Sequence, residues 1–207
     1  MCPGGYVLSS GTDADGIVVN GMSNYARNSR WSNAALVVSV SAGDDFDQED
    51  VLSGLEFQYQ IEKKAFSYSL ENASGKEVPA QPLSAFLAGE KSEELPKTSC
   101  PSGLVAADLR EILPDFVTQH LEKALQVFER RMKGFSSDKR ALLLAPETRT
   151  SAPVTIVREK EELVSTSHRG LYPCGEGAGY AGGITSAAVD GIKVCEKIVS
   201  GLEDLKQ

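Results

Sequence analysis

Hydrophobic and polar positions along the chain fall into successive regimes. The first forty residues carry short apolar runs, Tyr6 to Leu8, Gly16 to Val19 and Ala34 to Val40, separated by Gly4-Gly5, Gly11 to Gly16 and Asn20-Gly21. Short Val-rich runs between glycine turns predict strands. The middle switches to a helical period. Ser53-Gly54-Leu55-Glu56 has the spacing of a capping box, flanked by Leu52 and Phe57 as a hydrophobic staple, and predicts a helix from Ser53 to about Ser69. After Leu113-Pro114, the residues Val117, Leu121, Ala124, Leu125, Phe128 and Met132 make one apolar stripe. Pro114 suits a first turn, and Gly134 with Phe135 suits a left-handed helix end. Asn72 to Gly75 and Pro79 to Pro82 read as breaks, and Glu90 to Pro101 as an exposed polar loop. Ala141 to Ala145 and Val154 to Arg158 read as further strands. A last helix, Gly183 to Gly201, is marked by Ile184, Ala188, Ile192, Cys195 and Val199. Mixed strands with two long helices predict an α+β fold.

Composition narrows the function classes. The 207 residues are 41% hydrophobic and 24% charged, which is ordinary for a globular chain and excludes a disordered acidic tail, a collagen-like repeat or a coiled coil. The formal net charge of −8 argues against a nucleic-acid partner, which needs a concentrated basic face, and against docking on an anionic membrane. No run approaches the ~18 apolar residues of a membrane span. The start, Met1-Cys2-Pro3-Gly4-Gly5, is unlike a secretory leader, so a cytoplasmic location is expected. Cys2, Cys100, Cys174 and Cys195 form no C-x-x-C pair and fit no zinc spacing, so reduced thiols and no metal are expected. Cys174 and Cys195 read as core packing. His120, beside the apolar stripe, reads as a partly buried core residue rather than a catalytic one. The acidic run of Asp44, Asp45, Asp47, Glu49 and Asp50 fails the EF-hand pattern and reads as a solvated loop.

Candidate chemistry concentrates in Gly170 to Gly183, which holds six of the chain's 19 glycines. An expected strand, Leu171 to Cys174, leads into the glycines, and the final helix follows. That order points backbone N–H groups and a positive helix end at an anion. No lysine ends the loop, so a Walker phosphate site is excluded. Gly177, Gly179 and Gly182 satisfy G-x-G-x-x-G, but no second strand ending in an acid follows, as the dinucleotide fingerprint requires. Two readings stand. One is close helix packing with no ligand. The other is the closing strand and helix of a flavin domain, with Gly175-Glu176 at the ribityl hydroxyls and Gly182-Gly183-Ile184 at the helix start that faces the pyrimidine edge.

Several motifs carry a resemblance over the whole chain. They are Met1-Cys2-Pro3-Gly4-Gly5, Asn20-Gly21-Met22-Ser23, Asn33 to Val38, Gly54-Leu55-Glu56-Phe57-Gln58, Glu147-Thr148-Arg149-Thr150-Ser151, Gly170-Leu171-Tyr172-Pro173, Gly175 to Ile184, Ser186-Ala187-Ala188 and Asp190-Gly191. The sequence resembles the C-terminal part of a family of uncharacterised FAD-dependent dehydrogenases, NAD(P)/FAD-dependent oxidoreductases of bacteria and plastids. Those proteins are similar to two-dinucleotide-fold flavoproteins. The resemblance implies that this chain lacks the N-terminal half that grips adenosine and pyrophosphate. It implies a substrate or cap region over 1–145 and a segment over 146–207 that returns to the FAD domain. It places Gly175, Glu176, Gly177, Gly179, Gly182, Gly183 and Ile184 at FAD, with Arg149, Thr150 and Ser151 near the flavin or a substrate carboxylate. For Arg149 the alternative is a salt bridge to an acid such as Glu147. Cys2 is either redox-active or an inert turn residue. No catalytic residue and no substrate are implied. The expected function is FAD-dependent oxidation or reduction of a small molecule at full length, with the isolated chain inactive. The alternative is a non-catalytic module that folds without flavin. The final helix, evolved to pack on a sheet, is expected to expose its apolar face and to favour self-association.

Overall fold

The computed structural model describes residues 2–10 and 13–204. It is a mixed α+β structure of small sheets and four α-helices, divided into two compact units. The first comprises Met1–Ser41 with Phe57–Thr148, and the second Ala42–Glu56 with Arg149–Gln207.

In the first unit, β1 (Cys2–Pro3) pairs antiparallel with β4 (Ser32–Asn33), and β2 (Gly5–Ser9) with β3 (Val19–Ser23). Asn20 and Gly21, expected in a turn, instead lie inside β3 opposite Leu8 and Val7. The reason for the glycine is a crossing side chain. Asn33 Nδ2 donates to the carbonyls of Tyr6 (2.9 Å) and Met22 (3.1 Å), and a Cβ on Gly21 would fall 2.6 Å from Asn33 Oδ1. Ala34 to Val40, expected as a strand, has no ladder. Leu36 and Val38 pack against the core and Val37 between them is exposed, but the alternation stops at Val40, which is exposed where a strand would turn it inward.

The helix α1 (Ser53–Asn72) runs three residues beyond the expected Ser69. In the first unit its buried positions are Glu62, Ala65 and Ser69, one face at helical spacing. The strand β5 (Val78–Pro82) follows, fully buried, as the centre of a three-stranded sheet. It is parallel to β6 (Leu104–Ala106) and antiparallel to β7 (Leu142–Leu144). This corrects the expected break at Pro79–Pro82. The ladder with β7 spans Ala80 to Pro82, so Pro82 ends it and Pro79 lies just before it. Against β6, Pro79 is mid-ladder, where its neighbours make the bonds, Val78 N–H to Gly103 O (3.1 Å) and Ala107 N–H to Ala80 O (3.0 Å), while Pro79 O accepts from Ala145 N–H (3.1 Å). Between these strands lie α2 (Leu83–Ala88), a 3-10 turn (Leu109–Glu111) and α3 (Asp115–Arg131). The stripe on α3 holds for Leu121 and Leu125, buried in the core, and for Val117 and Phe128, packed against it, but the expected last member, Met132, lies past the helix end and is exposed. Past its end Gly134 takes φ +92°, and Phe135 packs edge-on against Phe128. His120 is exposed, its Nδ1 2.7 Å from Phe116 O, which corrects the expected core placement. The polar side of α3 points it to solvent.

In the second unit, among the described residues, no strand forms. Val154 to Arg158 and Leu171 to Cys174, expected as strands, form no ladder; the unit's isolated bridges among the described residues are Ala42–Phe46 and Arg158–Ser165. Scattered backbone bonds stand in place of a ladder: Ile156 N–H donates to Ala178 O (3.1 Å), Thr166 N–H to Val157 O (3.3 Å) and Ser165 N–H to Leu171 O (2.7 Å). The helix α4 (Ile184–Asp204) closes the chain. The acidic run is a turn whose side chains cap local amides, Asp47 Oδ1 that of Glu49 (2.8 Å) and Asp50 Oδ1 that of Leu52 (2.9 Å). Ser53 Oγ donates to Asp50 O (2.8 Å) and to the Asp47 carbonyl, while Glu56 N–H donates to Leu52 O (3.0 Å). Leu52, expected as a staple, is exposed. No described helix is long and apolar enough to cross a membrane, and no cluster of three metal-ligating side chains occurs among the described residues.

Candidate functional site

The glycine-rich segment of the second unit is a tight loop held from behind. Gly175 takes φ +72° and Gly179 φ +83°. Gly179 N–H donates to Glu176 O (2.9 Å), and Tyr180 N–H to Gly175 O (3.0 Å), closing two turns in six residues. Gly179 is glycine for two reasons. Its φ is left-handed, and a Cβ there would lie 2.6 Å from both Val154 O and Thr155 Oγ1.

The loop is fastened by a polar cluster. Arg158 Nη2 donates to Asp190 Oδ1 (2.7 Å), and Nη1 to Asp190 Oδ2 (2.9 Å) and Pro173 O (2.7 Å). Asp190 Oδ2 also accepts Gly175 N–H (2.9 Å). The guanidinium lies 3.7 Å from the centroid of the Tyr180 ring. Tyr180 Oη accepts from Arg158 N–H (3.1 Å) and donates to Ile156 O (3.1 Å). The hydrogen bonds from Arg158 hold the Asp190 carboxyl below its ordinary range, and those to Asp190 hold the guanidinium above its own. The signal in the sequence was Asp190, the first charged residue of the final helix, about one turn and a half in. Arg158, an arginine at the end of a mistaken strand, gave none.

The other face of the loop is open. A Cβ on Gly177 or Gly182 would meet no heavy atom within 4 Å, and one on Gly183 only Ser186 Oγ at 3.5 Å. None of these three takes a left-handed φ. Neither backbone conformation nor packing within the described chain therefore requires glycine at them. Glu176 is half-buried, and among the described residues its carboxylate has no hydrogen-bond partner. Ile184, the first residue of α4, is 92% exposed.

The segment after β7 is anchored in the first unit. Gln58 Nε2 donates to Thr148 O (2.7 Å), and Thr148 Oγ1 to the buried Glu62 carboxylate. Burial pushes the Glu147 carboxyl up. Arg149, Thr150 and Ser151, in the second unit, are exposed. Cys174 and Cys195, expected in the core, are exposed free thiols, whereas Cys100 is buried. Cys174 turns outward because the polar groups on both sides of it, Pro173 O and Gly175 N–H, are drawn to the Arg158–Asp190 pair. The side chain of Cys2 lies outside the described residues.

On α4, Val194 is buried, but Ile184, Ile192, Val199 and Leu202 stand 54–92% exposed beside exposed Ala188 and Cys195. The expected apolar stripe is thus uncovered in this chain.

Among known proteins, the family model described as FAD-dependent protein, C-terminal domain-like, matches residues 1–150. The glycine-rich loop lies beyond that match. An uncharacterised protein from Clostridium beijerinckii is 42% identical over 201 residues, which cover 96% of this chain and 37% of that relative. The chain thus spans little more than a third of the curated relative it matches.

Proposed function

The chain belongs to the family of FAD-dependent protein, C-terminal domain-like sequences, and from that premise we propose that it is the C-terminal portion of an FAD-dependent oxidoreductase, with residues 175–184 meeting the flavin. The observation that carries this reading is the open face of the glycine loop. Gly177, Gly182 and Gly183 are bare where nothing in the chain demands it, and the unpaired Glu176 carboxylate stands beside them. Bare backbone lets a large planar or polyhydroxylated ligand approach the N–H groups. An unpaired carboxylate is a ready acceptor for ligand hydroxyls. These residues fit a flavin: Glu176 would accept from the ribityl chain, and Gly182 to Ile184, opening α4, would set a positive helix end near the ring. Bound FAD supplies the capacity to take up and release electrons, and a helix end favours the reduced, negative ring. Arg149, Thr150 and Ser151 are exposed, and the same reading would set them near a flavin or a substrate carboxylate.

The exposed stripe of α4 belongs to the same reading. Gly191, inside that helix, also has no neighbour within 4 Å of a built Cβ, which suits a closely packed partner. In proteins of the relative's length, the remaining flavin domain would cover this face; in the isolated chain a second copy would. The reading divides the chain into a cap or substrate region over 1–145 and a returning segment over 146–207.

Glu176→Ala in the full-length protein tests it. A lost charged hydrogen bond predicts flavin retention weakened roughly 10- to 150-fold, with the flavin-free melting temperature unchanged. An unchanged flavin affinity alongside a lowered melting temperature would assign Glu176 to the fold instead.

A further inference from the structure

A buried ion pair is an expensive way to hold a loop. Removing two charges from water costs several kcal/mol, and apolar replacements of such pairs often leave stability equal or higher. Arg158 and Asp190 are 9% and 14% exposed, so simple packing would serve the fold as well. What apolar contact cannot supply is direction. The guanidinium fork fixes the carboxylate in its own plane, and the same two groups grip Pro173 O and Gly175 N–H. Gly175 is thereby held in its left-handed conformation with both of its backbone polar groups engaged, its N–H by Asp190 and its carbonyl by Tyr180 N–H. Tyr180, under the guanidinium, is tied to Arg158 and Ile156. The next residue is Glu176.

We infer that Arg158 and Asp190 are positioning residues, whose fork on the backbone of Pro173 and Gly175 sets the direction in which Glu176 and the open glycines meet their ligand. The inference rests on the flavin reading above. Asp190 comes from the first turns of α4, so the pair also fixes the loop against the helix start that the same ligand would face. One carboxylate thus couples the two halves of the site, and neither member touches the ligand.

The test uses the full-length protein loaded with FAD and three variants. Arg158→Lys keeps the charge and loses the fork. Asp190→Ala removes the acceptor of Gly175 N–H, and Asp190→Asn keeps an oxygen for it. Flavin dissociation, the visible spectrum of bound flavin, hydrogen exchange at the Gly175 amide and the flavin-free melting temperature are measured for each. Arg158→Lys and Asp190→Ala should each weaken flavin retention roughly tenfold, shift the bound spectrum and speed Gly175 exchange. Asp190→Asn should recover part of the loss. Should Asp190→Ala fail to fold, Arg158→Lys and Asp190→Asn carry the same comparison. Faster Gly175 exchange with flavin affinity and spectrum like wild type would overturn the positioning role while sparing the flavin reading. A wild-type protein that binds no flavin would overturn the flavin reading itself.

Discussion

Single residues separate what the fold needs from what a ligand needs. Gly179→Ala forces a left-handed φ on alanine and drives its Cβ to 2.6 Å from Val154 O. It should destabilise the second unit by about 1–3 kcal/mol or more, seen as a lowered melting temperature. Gly177→Ala, with open space around it, should leave the flavin-free melt unchanged. Glu129 makes a second contrast, in acid. Its carboxylate accepts the N–H groups of Gly134 (2.9 Å), Ser136 (2.8 Å) and Ser137 (3.2 Å), with both serine hydroxyls. The amide of Gly134, followed by those neighbours, lowers its pKa from 4.5 to about 2. A lowered folded value means stability that is present above pH 4.5 and is lost as pH falls toward 2. Glu129→Gln should flatten that part of the acid-unfolding curve, and an unchanged curve would contradict the assignment. The sequence did not disclose this turn. It showed Gly134 and Phe135 as a helix end, but a glutamate five residues earlier looks like any other surface acid.

At the scale of elements, legibility followed local periodicity and failed where partners decide. The α3 stripe and β7 were readable because their apolar spacing is contained in a few residues. The strand β5 was missed because Pro79 and Pro82 look like breaks until the pairing shows that their neighbours carry the ladder bonds to β6 and β7. Runs 34–40, 154–158 and 171–174 have the composition of strands but form no ladder, and the last two make only scattered bonds to 165–166 and Ala178, which no local pattern discloses. The site divides the same way. Its glycines and Glu176 were visible in sequence, whereas the Arg158–Asp190 fork joins residues 32 apart and emerges only in space. Gln81 is a comparable hidden join: fully buried beside β6, its Nε2 donates to Glu90 O (2.8 Å) and its Oε1 accepts Leu109 N–H (3.0 Å). Gln81→Leu keeps the volume and orphans both groups, so chemical denaturation should show a loss of about 2–4 kcal/mol. A neutral result would mean that the loop at Glu90 and the 3-10 turn find other partners.

For the whole molecule, the reading proposed above assigns the exposed α4 face and the open glycines to contacts made beyond this chain. Contiguous exposed apolar patches promote association. Light scattering should therefore find the isolated chain self-associated, and Ile192→Asp, on an exposed position of that stripe, should return it toward a monomer without lowering its melting temperature. On the proposed reading the isolated chain, which spans 37% of its relative, should also bind FAD weakly, because further residues of a full-length protein would share the grip on the ligand. The most direct measurement is an FAD titration, followed by flavin fluorescence, of full-length wild type against Gly182→Val, with flavin-free melts of both. A Cβ at this position meets no heavy atom within 4 Å in the described chain, and the flavin-free melts show whether the larger side chain strains the protein itself. A flavin affinity lowered by tenfold or more at an unchanged melting temperature is the predicted result, and equal affinities in the two proteins would contradict a flavin at this loop.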